Sequence, residues 1–190
     1  MFSCSGFSAL PARGLGVRRE VAHTVARLAA DASCREKILQ YGIISTLVTM
    51  SKVDDVDTTT GRYMALAFRV LSSDFKFAGI IVAGGAVDAL IFLTRSVDKP
   101  CRLSCAQSLC NLIRFGIRLD YLIECGVVSA LVHLADPEDE TTSECCAVAL
   151  YLFFCHPAVL ALIDGHEGFF GLQPVPVGTE HCSMRGGYWN

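Results

Sequence analysis

The chain has 190 residues, a net charge of −3 and an apolar composition, with 52% hydrophobic and 18% charged residues. This length suits a single domain with a sizeable core, and an apolar fraction above the average of roughly 45 to 50% excludes disorder throughout the chain. The negative charge and the lack of clustered basic and aromatic residues argue against nucleic acid as a partner.

Residues 1–16 form the first segment, which we predict to be irregular. It begins MFSCSGFSALPARG, without the basic start and sustained apolar run of a signal peptide. The ten cysteines of the chain are therefore expected to be reduced thiols of a cytoplasmic protein, with the nucleus as an alternative location. Because Arg13, Arg18 and Arg19 precede the first acidic residue, Glu20, an organelle transit segment is a further alternative.

Four long segments carry apolar and small residues three and four positions apart, the pattern of an amphipathic helix. They are VRREVAHTVARLAA from Val17, TTGRYMALAFRVLS from Thr59, CRLSCAQSLCNLI from Cys101 and TTSECCAVALYLFF from Thr141. Asp98 with Pro100, and Asp136 with Pro137, predict the starts of the third and fourth helices, with Asp as the N-cap and Pro in the first turn.

A second phrase recurs between the long segments: a glycine opens an apolar run that has a leucine five residues later. Its copies begin at Gly42, Gly85 and Gly126, which are 43 and 41 residues apart, and a weaker copy follows at Gly168. The unit is a short helix, a glycine turn, a middle helix, a polar loop and a long third helix. Self-similarity at this period is typical of helical repeat proteins. We predict an all-α solenoid of about four repeats of roughly 42 residues, spanning residues 17–170 and incomplete at both ends.

The run CCAVALYLFFCHPAVLALI, residues 145–163, contains no charged side chain and reaches the lower length limit of a membrane-spanning helix. His156 and Pro157 lie in its middle, where proline breaks a helix. We therefore predict two short buried helices and no membrane span. A membrane-associated protein that uses this segment is the alternative function.

Residues 171–190 are rich in turn-forming residues and lack a helical period, so we predict an irregular tail. A solenoid needs polar caps on its terminal repeats, and neither end of this chain has an evident one. We expect either a portion of a longer array or self-association through the uncapped ends.

Three stretches resemble armadillo repeats, the family typified by β-catenin and importin-α. They are GAVDAL from Gly85, GVVSAL from Gly126 and QSLCNLI from Gln107, the last resembling the end of the family's third helix. HEAT-like repeats are the less favoured alternative. The resemblance implies a right-handed solenoid of three-helix repeats whose third helices line a concave groove. It also implies that the groove binds an extended protein or peptide segment.

The best-known armadillo binders carry Trp and Asn four residues apart on each third helix. Alignment on Asn111 places this pair at Gln107 and Asn111, and in the other helices at His23 with Arg27, Leu66 with Val70, and Ala147 with Tyr151. One Asn is present among these positions, and the sole tryptophan, Trp189, lies in the tail. This departure argues against an importin-type role in nuclear import.

Residues three and four apart share one face of a helix, so the groove stripe can be extended along each third helix. The candidate groove residues are His23, Arg27, Tyr63, Leu66, Val70, Gln107, Asn111, Glu144 and Tyr151, with Glu20, Ser104 and Ala147 on the same stripe. Alternative roles stay open for several side chains. Asn111 could be satisfied by neighbouring backbone, Tyr63 and Tyr151 could serve packing, and Arg62, Arg69, Arg114 and Arg118 could form a solvated face.

The sequence does not favour catalysis, a metal or a cofactor. Cys101, Cys105 and Cys110 lack the paired spacing of a zinc site. Cys155 and His156 are interpreted as a turn and helix cap, since adjacency in sequence does not create a nucleophile and base. The third-helix cysteines, Cys105, Cys110, Cys145 and Cys146, are interpreted as small buried hydrophobic residues. We therefore predict a non-catalytic protein-interaction scaffold.

Overall fold

The computed structural model describes residues 14–53 and 56–164, and all regular elements in these ranges are α-helices. In chain order they are α1 (Leu15–Ala30), α2 (Ala32–Gln40), α3 (Ile43–Ser51), α4 (Thr58–Ser72), α5 (Phe75–Ala83), α6 (Ala86–Leu93), α7 (Lys99–Arg114), α8 (Leu119–Glu124), α9 (Val127–Leu134), α10 (Glu140–Phe154) and α11 (Pro157–Asp164). Two short helices precede each long one, so three complete units, α2–α4, α5–α7 and α8–α10, follow the long helix α1. The predicted all-α solenoid of three-helix repeats is confirmed.

The glycine that marks each repeat is the turn between the first and middle helices. Gly42, Gly85 and Gly126 precede α3, α6 and α9 with φ angles of 70°, 80° and 81°. Side chains other than glycine are strained in this left-handed region, which explains why the same residue recurs there. The weaker mark, Gly168, lies outside the described residues, as do most of the predicted irregular first segment and the predicted tail.

The long helices α1, α4, α7 and α10 pack side by side in this order, and the middle helices α3, α6 and α9 form a second layer. The core lies between these two layers. Leu47, Leu90 and Leu131, the leucines five residues after each glycine, are fully buried from one side, and Phe68 and Leu109 are fully buried from the other. Burying each such side chain contributes about 1.5–3 kcal/mol. We call the surface of the long helices that faces away from the middle helices the third-helix face.

The predicted start of the third long helix is confirmed. The Asp98 carboxylate accepts a hydrogen bond from the Cys101 backbone N–H at 2.9 Å, and Pro100 lies in the first turn of α7. The first long helix begins at Leu15, two residues before the predicted Val17.

The predicted start of the fourth long helix is wrong. Asp139, and not Asp136, caps α10, because its carboxylate accepts hydrogen bonds from the Thr142 backbone N–H at 3.3 Å and the Thr142 hydroxyl at 2.8 Å. Asp136 and Pro137 lie in the preceding turn, which is closed by a hydrogen bond from the Asp139 N–H to the Asp136 carbonyl at 2.9 Å. The helix therefore begins at Glu140.

The apolar run at residues 145–163 is divided between α10 and α11. His156 separates the two helices and its Nδ1 accepts a hydrogen bond from the Ala158 N–H at 3.2 Å, which confirms the predicted cap. The prediction of two short buried helices is wrong for α10, since that helix has 15 residues and leaves Val148 49% and Tyr151 65% exposed. In the described ranges no single helix is long and apolar enough to cross a membrane; α5 and α6 qualify together by length and composition but are bent by 87°.

Three ion pairs connect successive long helices at their N-terminal edge. These Arg–Asp bridges are Arg19 with Asp57, Arg62 with Asp98, and Arg102 with Asp136. In the second bridge, Nε and Nη2 of Arg62 both donate to the carboxylate of Asp98, whose side chain is only 7% exposed. Because Asp98 also caps α7, one carboxylate holds the start of a helix and links it to the preceding long helix.

We predict that Gly84→Ala lowers the free energy of unfolding by about 1–3 kcal/mol, because the added methyl group overpacks the contact between α5 and α3. A Cβ there would overlap the Cγ2 methyl of Ile44 and lie 3.2 Å from the Ile80 carbonyl oxygen. Ile44 is buried and β-branched, so it has little freedom to move away. Urea unfolding followed by circular dichroism measures the change.

Gly79→Ala is the matched control for this substitution. Gly79 lies within the same helix, and a Cβ there would meet no atom within 4 Å. Alanine should raise the free energy of unfolding by up to about 1 kcal/mol through its helix propensity. Equal stability of the two variants would contradict the proposed contact.

We predict that the bridge between Arg62 and Asp98 stabilises the fold at neutral pH and is lost in acid. The hydrogen bonds from Arg62 hold the pKa of Asp98 below its ordinary value of 3.8. A lowered folded-state pKa adds stability above the unfolded value, and this stability disappears as the pH falls through the folded value. Asp98→Asn keeps a capping side chain and should lower the midpoint of thermal unfolding at pH 7 by about 2–4 °C.

The difference between Asp98→Asn and the original chain should hold down to about pH 5 and shrink in more acidic solution. Glu124→Gln is the control, since Glu124 is exposed and forms no ion pair with the described residues. A pH-independent difference for Asp98→Asn would show that the charge of Asp98 contributes nothing.

Candidate functional site

The nine predicted groove residues lie on the four adjacent long helices, and all are half-buried or exposed. The half-buried ones are His23, Tyr63, Leu66, Val70, Gln107 and Asn111, and the exposed ones are Arg27, Glu144 and Tyr151. The extended stripe is wrong at Ser104, which is only 8% exposed because its short side chain lies within the layer. The predicted residues thus share one accessible surface, and their role in binding a ligand stays a prediction.

The junction between α1 and α4 carries an aromatic contact. The rings of His23 and Tyr63 have centroids 4.6 Å apart and planes tilted by 37°. Tyr63 also packs against the hydrophobic core, so part of its surface is used in holding the layer together. Both rings leave some surface accessible, and together they form an aromatic patch near the N-terminal end of the layer.

The junction between α4 and α7 carries two amide contacts. Nη1 of Arg69 donates to Oε1 of Gln107 at 3.2 Å, and Nδ2 of Asn111 donates to Oγ of Ser72 at 3.4 Å. The prediction that Asn111 could be satisfied within the protein is therefore correct in kind, although its partner is a side-chain hydroxyl. At these distances both bonds are weak, so the two amides can exchange them for stronger ones to an extended backbone.

The junction between α7 and α10 carries thiols. The hydrogen bond with Cys145, helped by the Arg114 guanidinium, lowers the pKa of Cys110 to about 7, and the same contact raises the pKa of Cys145. Cys105, Cys110 and Cys146 are buried, as predicted, whereas Cys145 is half-buried. The thiols serve mainly as small packing residues that let the two helices approach closely.

The remaining surface of the third-helix face is mixed in character. Leu66 and Val70 of α4 pack against the core and stay partly accessible. Tyr151 of α10 is 65% exposed and Glu144 of the same helix is exposed. An extended segment that crosses the layer would therefore meet aromatic, aliphatic, amide and acidic groups in turn.

The expectation of a solvated face is wrong for Arg62, which forms a bidentate ion pair with a nearly buried carboxylate. Arg118 also has a carboxylate partner, Asp120, at 3.7 Å. The missed signal was the period itself. The arginines Arg19, Arg62 and Arg102 recur 43 and 40 residues apart, and their partners Asp57, Asp98 and Asp136 recur 41 and 38 residues apart.

The arrangement is suited to holding a ligand by surface contacts. Over residues 14–53 and 56–164, no group of three or more His, Cys, Asp or Glu side chains is placed to hold a metal ion. Cys155 is exposed, and His156 beside it uses Nδ1 for the cap of α11. The accessible groups of the third-helix face are hydrogen-bond donors and acceptors, aromatic rings and charges.

Neither protein-family models nor curated proteins match this sequence. Several solved structures are similar in fold, at 24% sequence identity or less. Two are engineered proteins from the Northeast Structural Genomics Consortium: one has a TM-score of 0.68 at 20% identity over 86% of this chain and 69% of its own, and the other 0.66 at 24% identity over 83% and 65%. A designed armadillo repeat protein has a TM-score of 0.64 at 18% identity, over 77% of this chain and 61% of its own. This chain therefore has an armadillo-like helical-repeat fold, as the resemblance implied.

Proposed function

We propose that this protein is a non-catalytic scaffold that binds an extended segment of a partner protein along the third-helix face. The observation that carries the proposal is the state of the two amides at its centre. Gln107 and Asn111 are accessible, yet their hydrogen bonds within the protein are long, at 3.2 Å and 3.4 Å. Side-chain amides placed in this way can donate to and accept from the backbone of an extended chain.

The dimensions and rigidity of the face support the same proposal. Four long helices packed about 8–10 Å apart make a surface roughly 30–40 Å across. An extended segment rises about 3.3 Å per residue, so about ten residues span it. The Arg–Asp bridges and the buried core hold the helices in register, so the surface exists before the ligand arrives and little ordering is required on this side.

The proposal predicts that Asn111→Ala combined with Tyr151→Ala reduces the recovery of partner proteins about tenfold or more, since losing two central contacts of this kind costs about 1 kcal/mol or more each. Both residues are accessible, so the helical circular dichroism spectrum should not change. Affinity purification from cells that express the protein, followed by quantitative mass spectrometry, measures the recovery.

The matched control is Tyr41→Ala, which removes a tyrosine that is 88% exposed in the turn between α2 and α3, away from the third-helix face. This variant should recover the same partners as the original chain. Retention of the partners by the Asn111 and Tyr151 double variant, or their equal loss in Tyr41→Ala, would overturn the assignment of the binding surface.

A further inference from the structure

We propose that the segment bound by the third-helix face is acidic, and that its carboxylates meet a row of arginines at the C-terminal edge of the layer. The inference rests on the proposed function and adds the chemical class of the partner. The row consists of Arg27, Arg69 and Arg114, which are the basic residues in the last turns of α1, α4 and α7. The last turn of α10 contains no basic residue, so the row covers three of the four long helices.

These three arginines have no carboxylate partner among the described residues. The ion pairs in that part of the chain involve other basic side chains, namely Arg19, Arg62, Lys76, Arg102 and Arg118. Arg69 donates Nη1 to the neutral Gln107, and its Nε is buried without a hydrogen-bond partner. Arg27 and Arg114 are exposed. The positive charge of the row is therefore not neutralised by the described protein.

The ordinary role of an arginine at a helix C-terminus is to satisfy the terminal carbonyl groups. Here other groups do this for α1 and α4. Nε of Arg35, on α2, donates to the Ala29 carbonyl at 2.7 Å, and the Ser73 hydroxyl donates to the Val70 carbonyl at 2.8 Å. Arg27 and Arg69 thus remain available to an outside acceptor.

The opposite edge of the layer has the reverse balance of charge. There the capping carboxylates Asp57 and Asp98 receive Arg19 and Arg62 in the Arg–Asp bridges, so basic and acidic groups are matched. Positive charge without a partner is concentrated at one edge only. A ligand with complementary charge would lie along that edge, and its carboxylates can form bidentate hydrogen bonds with guanidinium groups.

A protein segment fits this row better than a nucleic acid does. A nucleic acid carries a charge on every phosphate and would also approach Glu144 and Glu140, which are exposed on the same layer. An extended peptide can place acidic side chains opposite the arginines and neutral or apolar ones opposite Leu66 and Tyr151. The net charge of −3 also disfavours a polyanion as the partner.

Selection from a library of random peptides about twelve residues long tests the inference, since that length spans the layer. Peptides selected on the immobilised full chain should be enriched in Asp and Glu. A selected acidic peptide, labelled with fluorescein, should bind the Arg27→Glu, Arg114→Glu double variant roughly 10- to 100-fold more weakly than the original chain, because two attractions become repulsions. Both positions are exposed, and circular dichroism checks that the variant remains folded.

Arg95→Glu is the matched control, because Arg95 is exposed in the turn after α6 and forms no ion pair with the described residues. It should leave the affinity nearly unchanged. If the double variant fails to fold, Arg27→Gln with Arg114→Gln removes the charges without reversing them, and a loss of about fivefold or more is then expected.

The outcomes separate this inference from the proposed function. Peptides that need Asn111 and Tyr151 but show no excess of acidic residues would overturn the inference and leave the proposed function intact. An absence of peptides that depend on the third-helix face would overturn both. Stronger binding of a single-stranded oligonucleotide than of any selected peptide, with the same dependence on Arg27 and Arg114, would overturn the assignment to a protein partner.

Discussion

The side-by-side packing of each long helix against the next is the interaction on which the rest of this structure depends. A unit of two short helices and one long helix cannot bury its apolar surface alone, so each repeat needs its neighbour. The glycine turns set the two short helices at an angle, and the leucine that follows each glycine closes the core against the long helix. Because the long helices are held from behind by this core, their opposite surface is left open and stays in register. Stability and a binding surface therefore come from one arrangement.

The two edges of the long-helix layer have different tasks. At the N-terminal edge, a carboxylate such as Asp98 caps one helix and binds Arg62 of the preceding long helix, so backbone and side-chain requirements are met together. At the C-terminal edge, Arg27 and Arg69 are released because Arg35 and serine hydroxyls satisfy the terminal carbonyls. The cross-helix contacts between the edges differ at each junction, being aromatic, amide and thiol in turn. The architecture repeats, but the surface that it presents is specific to each repeat.

The repeating architecture could be predicted from the sequence because its signals are local. A left-handed turn requires glycine, and helical periodicity can be read from a dozen residues. The errors occurred where two local signals compete or where the partner is distant. Asp136 and Asp139 are both able to cap a helix, and the turn that selects Asp139 depends on folded geometry. Arg62 and Asp98 are 36 residues apart, so their pairing appears only once the long helices are placed side by side. The accessible stripe was located correctly in general, since all nine candidate residues reach the surface, but the sequence did not reveal that Gln107 and Asn111 have weak internal partners.

The central claim is that this protein meets its partners on the third-helix face, and site-specific photo-crosslinking in the cells that express it tests the claim most directly. A photoreactive aliphatic residue at Leu66, which is half-buried at the middle of α4, would be compared with the same residue at Ile80, which is 51% exposed on α5. The account predicts covalent adducts with other proteins at position 66 and few or none at position 80. Adducts confined to position 80, or equally abundant at both positions, would contradict it.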